Sequence, residues 1–180
     1  ALTKGRSEMY DLDLIKTTGA QIYEASDAMQ FFALCKPSDT ALKYIRINHL
    51  EIPWSLELTW KENYTNILAP VDAQKTMIVS GSLLGLFASA LDDNQQGVID
   101  LFTINTYYET FSEELRASIE QTKSLHVVLD ASEKSGYIDF LKAQLYSMGI
   151  HGLDFYVSTP QRGETATILP EYFWEEVAFG

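Results

Sequence analysis

Arg46 stands inside an apolar run, Tyr44-Ile45-Arg46-Ile47. A guanidinium on a strand stays charged at any working pH and offers a planar fork of donors, so it needs a carboxylate or an anionic ligand. Two readings stay open: a structural salt bridge, with Asp27 or Asp72 as candidate carboxylates, and an anchor for an anionic substrate. Asp130 closes another apolar run, at the edge of a sheet where α/β proteins place ligands, and reads either as a ligand-facing carboxylate or as a turn aspartate. Gly81-Ser82 lies at a strand-to-helix turn whose free N–H groups could hold an anion, although a plain tight turn is the simpler reading. His49, His126 and His151 have no metal-ligand spacing. His126 alternates within a strand and reads as a core or sheet-face histidine. Cys35 is the single cysteine. It reads as an inert, buried thiol on an apolar helix face, since no basic neighbour lowers its pKa. No GxGxxG, P-loop, HExxH or GxSxG motif is present. No catalytic, cofactor-binding or metal-binding residue is assigned from these features.

The elements that must position these residues alternate. A short helix over 11–16 ends at Gly19. "AQIYEAS" reads as a strand with Ile22 inward. Ser26 and Asp27 are helix starters, and Ala28, Phe31, Phe32 and Cys35 follow at helical spacing. "ALKYIRI" is a strand. Residues 51–72 carry Pro53 and Pro70 without a lasting period and read as an ordered linker, with one short strand near 56–60. Beyond it "KTMIVSG", "QGVIDLFTI", "SLHVVLDAS" and "GLDFYVS" read as strands. The helices between them lie over 82–91, in "SEELRASIEQT" behind a Ser112 cap, and in "GYIDFLKAQLYSMG" up to Gly149. The tail 161–180 is irregular, with a short helix expected at 171–178. This alternation predicts an α/β fold, three layers with helices on both faces of a mostly parallel five-stranded sheet, preceded by a partial α/β unit. The expected division is 1–50, linker 51–72, second domain 73–160 and tail 161–180.

A chain of 180 residues buries roughly 70% of its unfolded surface and needs no staple. One cysteine excludes an internal disulfide and a cysteine-based zinc site. No apolar run reaches the roughly 18 residues of a membrane span, and no secretory leader pattern is visible. The expected setting is cytoplasmic. Ala1 opens the chain without a methionine, which leaves room for an upstream part. The net charge of −12, with no basic cluster, argues against nucleic acid and anionic membranes as partners. It suits solubility, or an acidic face for a basic partner, as in an immunity-like or nucleic-acid-mimic protein.

Taken in order, these segments resemble the C-terminal portion of transketolase-family, thiamine-diphosphate-dependent enzymes. The family pattern is an apolar strand ending Gly-Ser, a helix, then "V-I-D-L-R-T-I-x-P-L-D". Here Val98, Ile99, Asp100, Leu101, Thr103 and Ile104 match it, while Thr106, Tyr107 and Tyr108 replace Pro-Leu-Asp. Thr122 and Lys123 match a following "K-T" in transposed order, and Asp130 stands where the family has an acidic residue. Upstream, "YDLDLIKTTGAQIYEASDAMQ" resembles the end of the pyrimidine-binding domain, with Gly19, Ser26, Asp27 and Ala28 as anchors. "ALKYIRINH" resembles the strand that follows. The resemblance covers roughly residues 5–157.

It implies a portion, or split subunit, of a transferase or synthase acting on two-carbon or acyl units: a transketolase, a 1-deoxyxylulose-phosphate synthase or a 2-oxoacid dehydrogenase β subunit. Arg46 would then face the channel and hold the substrate's phosphate or carboxylate. The second basic position of that pattern holds Asn48 or His49. The family's channel histidine has no counterpart in Gly5-Arg6-Ser7-Glu8. Its catalytic glutamate, ring-stacking aromatics and magnesium–diphosphate site lie further upstream. The resemblance therefore implies a chain inactive alone, with thiamine diphosphate and magnesium only in the complete enzyme. Its partner would be an upstream thiamine-binding region or subunit, in a homo-oligomer such as a dimer. The alternative reading is a binding or regulatory module that keeps the fold without the chemistry.

Overall fold

The computed structural model describes residues 11–37, 42–47, 57–61, 63–85, 87, 91, 96–130 and 135–159. Asn48, His49, most of the linker around Pro53 and the helix expected at 171–178 lie outside them.

Four parallel strands come from the runs read as strands: β4 (Lys75–Ser80), β5 (Ile99–Ile104), β6 (Ser124–Val128) and β7 (Asp154–Ser158). The fifth is β3 (Tyr64–Leu68), which lies within the segment read as a linker and pairs antiparallel with β5. The sheet order is β3-β5-β4-β6-β7. The short strand expected near 56–60 is not there: Glu57–Trp60 has no regular structure, and Glu57 sits at φ 55. A left-handed backbone cannot continue a pleated strand.

The apolar alternation of the central strands makes two faces. Ile78, Phe102, Ile104, Leu125 and Val127 face one side, where helices α3 (Glu113–Thr122) and α4 (Gly136–Met148) add Leu115, Ile119, Tyr137 and Leu141. Met77, Val79, Leu101 and Val128 face the other, covered by Leu83, Leu84 and Phe87 after a 3-10 turn at Gly81–Leu83. The result is the expected three-layer α/β/α arrangement. Burying each such aliphatic side chain contributes about 1.5–3 kcal/mol. The caps follow the sequence. Ser112 accepts from Leu115 N, Ser135 accepts from Tyr137 N, and Gly149 ends α4 at φ 66, where glycine escapes the steric cost of a left-handed residue.

The first unit contains α1 (Asp11–Lys16), β1 (Gln21–Glu24), α2 (Ala28–Leu34) and β2 (Lys43–Arg46), with β1 and β2 parallel. Asp27 caps α2 by accepting from Gln30 N. Leu12 and Ile22 of this unit are buried in the same core as α3 and α4. The apolar face expected on α2 is only partly covered. Phe32 is 54% exposed and Cys35 is exposed, whereas Gln30 is buried. The buried thiol is thus corrected. The helix turns its Gln30 side inward, toward buried amides, and leaves Cys35 outside at its C-cap.

Candidate functional site

In this sheet the chain passes from β5, on one side of β4, to β6 on the other. The crevice at the carboxyl ends of such strands is where open α/β sheets hold ligands. Ser80 and Gly81, residues 105–107 and Asp130 stand there. The first unit docks directly onto them. Glu24 N donates to Asn105 O at 3.0 Å, Tyr107 N donates to Ile22 O at 2.8 Å, and Tyr23 bridges Thr106. A side chain is excluded at Gly81, since a Cβ would lie 2.5 Å from Ser26 Oγ and 3.3 Å from the carbonyls of Glu24 and Ile104.

A charged network is buried in this seam. Glu24 and Arg46 are register partners across the parallel pair, so their side chains leave the same face. Arg46 Nη1 lies 3.7 Å from Glu24 Oε2 and donates to Tyr107 Oη at 3.1 Å, and Nη2 donates to the Asp130 carbonyl at 2.9 Å. Tyr107 in turn donates to Glu24 Oε2, and Ser80 Oγ lies 3.2 Å from the same hydroxyl. Asp130 N donates to Ser80 Oγ at 3.0 Å. Glu24, Tyr107 and Arg46 are only 1%, 2% and 8% exposed. Taking such charges out of water costs several kcal/mol per ion unless partners surround them, and this network supplies those partners.

Arg46 thus meets its carboxylate in Glu24, and not in Asp27 or Asp72. Asp27 is committed to the α2 cap, and Asp72 is exposed on the turn before β4. Burial pushes the Tyr107 phenol well above its ordinary pKa, and the negative charge of Glu24 adds to this while Arg46 opposes it. Tyr137 and Tyr64, joined by a 3.1 Å hydroxyl contact, are raised chiefly by burial as well.

Two further clusters fix the seam. Gln30 accepts from Ser26 N and donates to Asn105 Oδ1, while Asn105 Nδ2 donates to Thr65 Oγ1 and the Lys61 carbonyl. On α1, Asp13 accepts from Tyr108 Oη at 2.5 Å and from Gly136 N at 3.0 Å, so it holds the start of α4.

The structure brings Arg46, Asp130 and the Gly81 turn together, as backbone and side-chain parts of one seam. Among the described contacts Asp130 takes part through its carbonyl and N–H. His126 stays apart on β6, buried, with Nε2 2.7 Å from Ser158 Oγ. Glu24, Ser80 and Tyr107 were not singled out from the sequence. The signal available was the Tyr107-Tyr108 pair standing where the resembled pattern has Leu-Asp.

A groove of about 450 Å3 opens beside α2, between Met29, Trp60, Leu58 and Tyr23. Among the described residues Lys61 is the one charged residue lining it, and it is paired with Glu114. The described residues do not fit a magnesium–diphosphate group. No cluster of three or more His, Cys, Asp or Glu is placed to hold a metal ion among them, and the Glu24 carboxylate in the seam is engaged by Arg46 and Tyr107. No helix among them is long and apolar enough to cross a membrane.

No protein-family model matches the sequence, and a search of curated proteins finds no match. Among solved structures, transketolase from Campylobacter jejuni subsp. jejuni NCTC 11168 is similar, with a TM-score of 0.60 and 12% identity. The alignment covers 94% of this chain and 25% of that one, so the chain spans about a quarter of its length. At this identity the likeness is one of fold: the chain has a transketolase-like α/β fold.

Proposed function

We propose that this chain is the C-terminal portion, or a split subunit, of a thiamine-diphosphate-dependent enzyme of the transketolase type, not catalytic by itself. The observation that supports this best is the seam. A partial parallel unit is docked at the carboxyl ends of β4, β5 and β6, with a buried guanidinium at the junction, inside a fold that aligns over nearly its whole length with part of a transketolase. In this reading thiamine diphosphate and magnesium are held by an upstream region or subunit, in a cytoplasmic homo-oligomer. This chain contributes Arg46 as the anchor for the phosphate or carboxylate of the substrate. An incoming oxyanion would take the guanidinium fork in place of the Tyr107 hydroxyl and the Asp130 carbonyl.

The test is titration calorimetry with thiamine diphosphate and magnesium. The 180-residue chain should show no micromolar binding alone and should support activity only when an upstream partner is added. Micromolar binding by the isolated chain contradicts the reading. An upstream coding sequence carrying "G-D-G" and then "N-N" supports it, because in the resembled family those residues hold magnesium.

A second reading, a non-catalytic binding or regulatory module, is favoured by the internal partners of Arg46. Glu24, Tyr107 and Asp130 already engage the guanidinium. A stable partner recovered by pull-down, with no thiamine-binding region upstream, would decide for it.

A further inference from the structure

The carboxylate beside Arg46 is placed there by the fold. Glu24 and Arg46 are register partners across β1 and β2, so the pairing that makes the first unit also sets an acid beside its base. Glu24 Oε2 lies 3.7 Å from Arg46 Nη1 and accepts from the Tyr107 hydroxyl. The residue is 1% exposed. Its strand is bound to β2 on one side and to Asn105 and Tyr107 on the other, so the carboxylate is held where it stands.

Any anion that takes the guanidinium fork must share it with Glu24. Such an anion displaces the Tyr107 hydroxyl from Nη1 and the Asp130 carbonyl from Nη2. Its oxygen on Nη1 then stands within about 7 Å of Oε2, one hydrogen-bond length beyond the 3.7 Å separation. Repulsion between charges grows with their product and is strong away from water. A phosphate monoester carries nearly two charges at neutral pH, and a carboxylate carries one. The fork offers either anion the same two parallel bonds. The dianion therefore meets close to twice the repulsion for the same hydrogen bonds. Extra cations would offset this, but the lysines of the elements around the seam are engaged elsewhere. Lys43 donates to the Leu34 carbonyl at 3.4 Å, Lys16 lies 3.7 Å from the centre of the Tyr108 ring, and Lys61 pairs with Glu114.

We infer that Glu24 is a specificity-determining residue: it makes the Arg46 site one for a singly charged oxyanion, a carboxylate, and sets it against the dianion of a phosphate monoester. Selection comes from the repulsive neighbour, since the attractive guanidinium serves both anions. That the oxyanion belongs to a substrate rests on the function proposed above, whereas the preference for a single charge is a property of this chain.

The test separates charge from shape. Methyl sulfate and methyl phosphate are close in shape, with one charge and nearly two at about pH 8. Each of them, and acetate, is titrated into the nitrogen-labelled 180-residue chain. The reading is the shift of the Arg46 side-chain resonances, identified by their loss in Arg46→Lys. Methyl sulfate and acetate should bind at least about tenfold more tightly than methyl phosphate. Glu24→Gln keeps the shape and an acceptor for Tyr107 while removing the charge, and there the ratio should fall below about threefold. A wild-type chain that binds methyl phosphate as tightly as methyl sulfate overturns the inference with no variant needed. So does a ratio left unchanged by Glu24→Gln in a chain that thermal unfolding shows to be folded. If no anion moves the Arg46 resonances in either chain, Arg46 is not an anion site and the inference falls as well. Thiamine diphosphate calorimetry is independent of these readings. A failed charge preference leaves the proposed function without this substrate assignment, and a preference kept by a chain that binds thiamine diphosphate alone leaves the selectivity standing without that function.

Discussion

The Arg46 guanidinium and the Tyr107 hydroxyl meet 3.1 Å apart although 61 residues separate them in sequence, and each also reaches Glu24. Removing one member exposes what the others were offsetting. Tyr107→Phe should cost about 1–3 kcal/mol of stability, the penalty for leaving buried polar groups short of a partner. Arg46→Ala should cost more, about 3–5 kcal/mol, because the buried Glu24 carboxylate loses the Arg46 cation beside it. Urea unfolding of both variants checks this order. On the function proposed above, Arg46→Ala should also raise KM of the assembled enzyme for an anionic substrate at least about tenfold. An unchanged KM would leave Arg46 as a lock between the two units only.

Alkaline pH should act through the tyrosines buried among the described residues. Unfolded, each phenol ionises near about pH 10. Folded, Tyr64, Tyr107 and Tyr137 keep their protons to higher pH because burial disfavours the phenolate. The folded state then holds more protons than the unfolded one above pH 10. Stability should be unaffected by these groups below that pH and fall above it, by up to about 1.4 kcal/mol per pH unit for each tyrosine. Absorbance of tyrosinate should rise in two stages, since at least these three of the ten tyrosines ionise only with unfolding. A single smooth titration of all ten in the folded protein would contradict this.

At Gly81 the constraint is space. Gly81→Ala should destabilise by about 1–3 kcal/mol, since the added methyl overpacks the contact with Ser26 and two backbone carbonyls. Ser26 Oγ is buried without a hydrogen-bond partner. Ser26→Ala should therefore leave the melting temperature unchanged or raise it. In the double variant part of the Gly81→Ala loss should return, and a fully additive cycle would show that the two positions do not press on each other.

Asp13 joins α1 to the first turn of α4 and to Tyr108. Asp13→Ala should cost about 1–2 kcal/mol, the range for losing a capping carboxylate and a side-chain hydrogen bond. Hydrogen exchange should show the loss as faster opening of the amides at the start of α4, with the amides of β4 and β5 little changed.

The elements whose signals are local were legible in the sequence. β4 carries the apolar run Met77-Ile78-Val79 and β6 carries Leu125, Val127 and Val128, Ser112 and Gly149 mark helix ends by their own chemistry, and Asp27 is a recognisable cap. β3 was not, because Tyr64-Thr65-Asn66-Ile67-Leu68 is half polar and lies among prolines, and only pairing with β5 makes it a strand. The partner of Arg46 depended on the register of a parallel pair, which sequence spacing does not encode, so nearby aspartates stood in for Glu24. Cys35 and Phe32 followed helical spacing, but in α2 the inward side belongs to Gln30, whose amide completes a buried chain of hydrogen bonds.

β3 belongs by position to the stretch between the two units and by hydrogen bonding to the second sheet. The downstream half of that stretch is thus stitched into the second sheet, by the pairs from Tyr64↔Ile104 to Leu68↔Leu101. It also sets where such a chain can be divided in evolution. A gene fission or cassette exchange after residue 72 would strip β5 of its cover and leave a long apolar edge open to aggregation. A viable junction must fall upstream of Tyr64, so that the inherited piece carries its own edge strand.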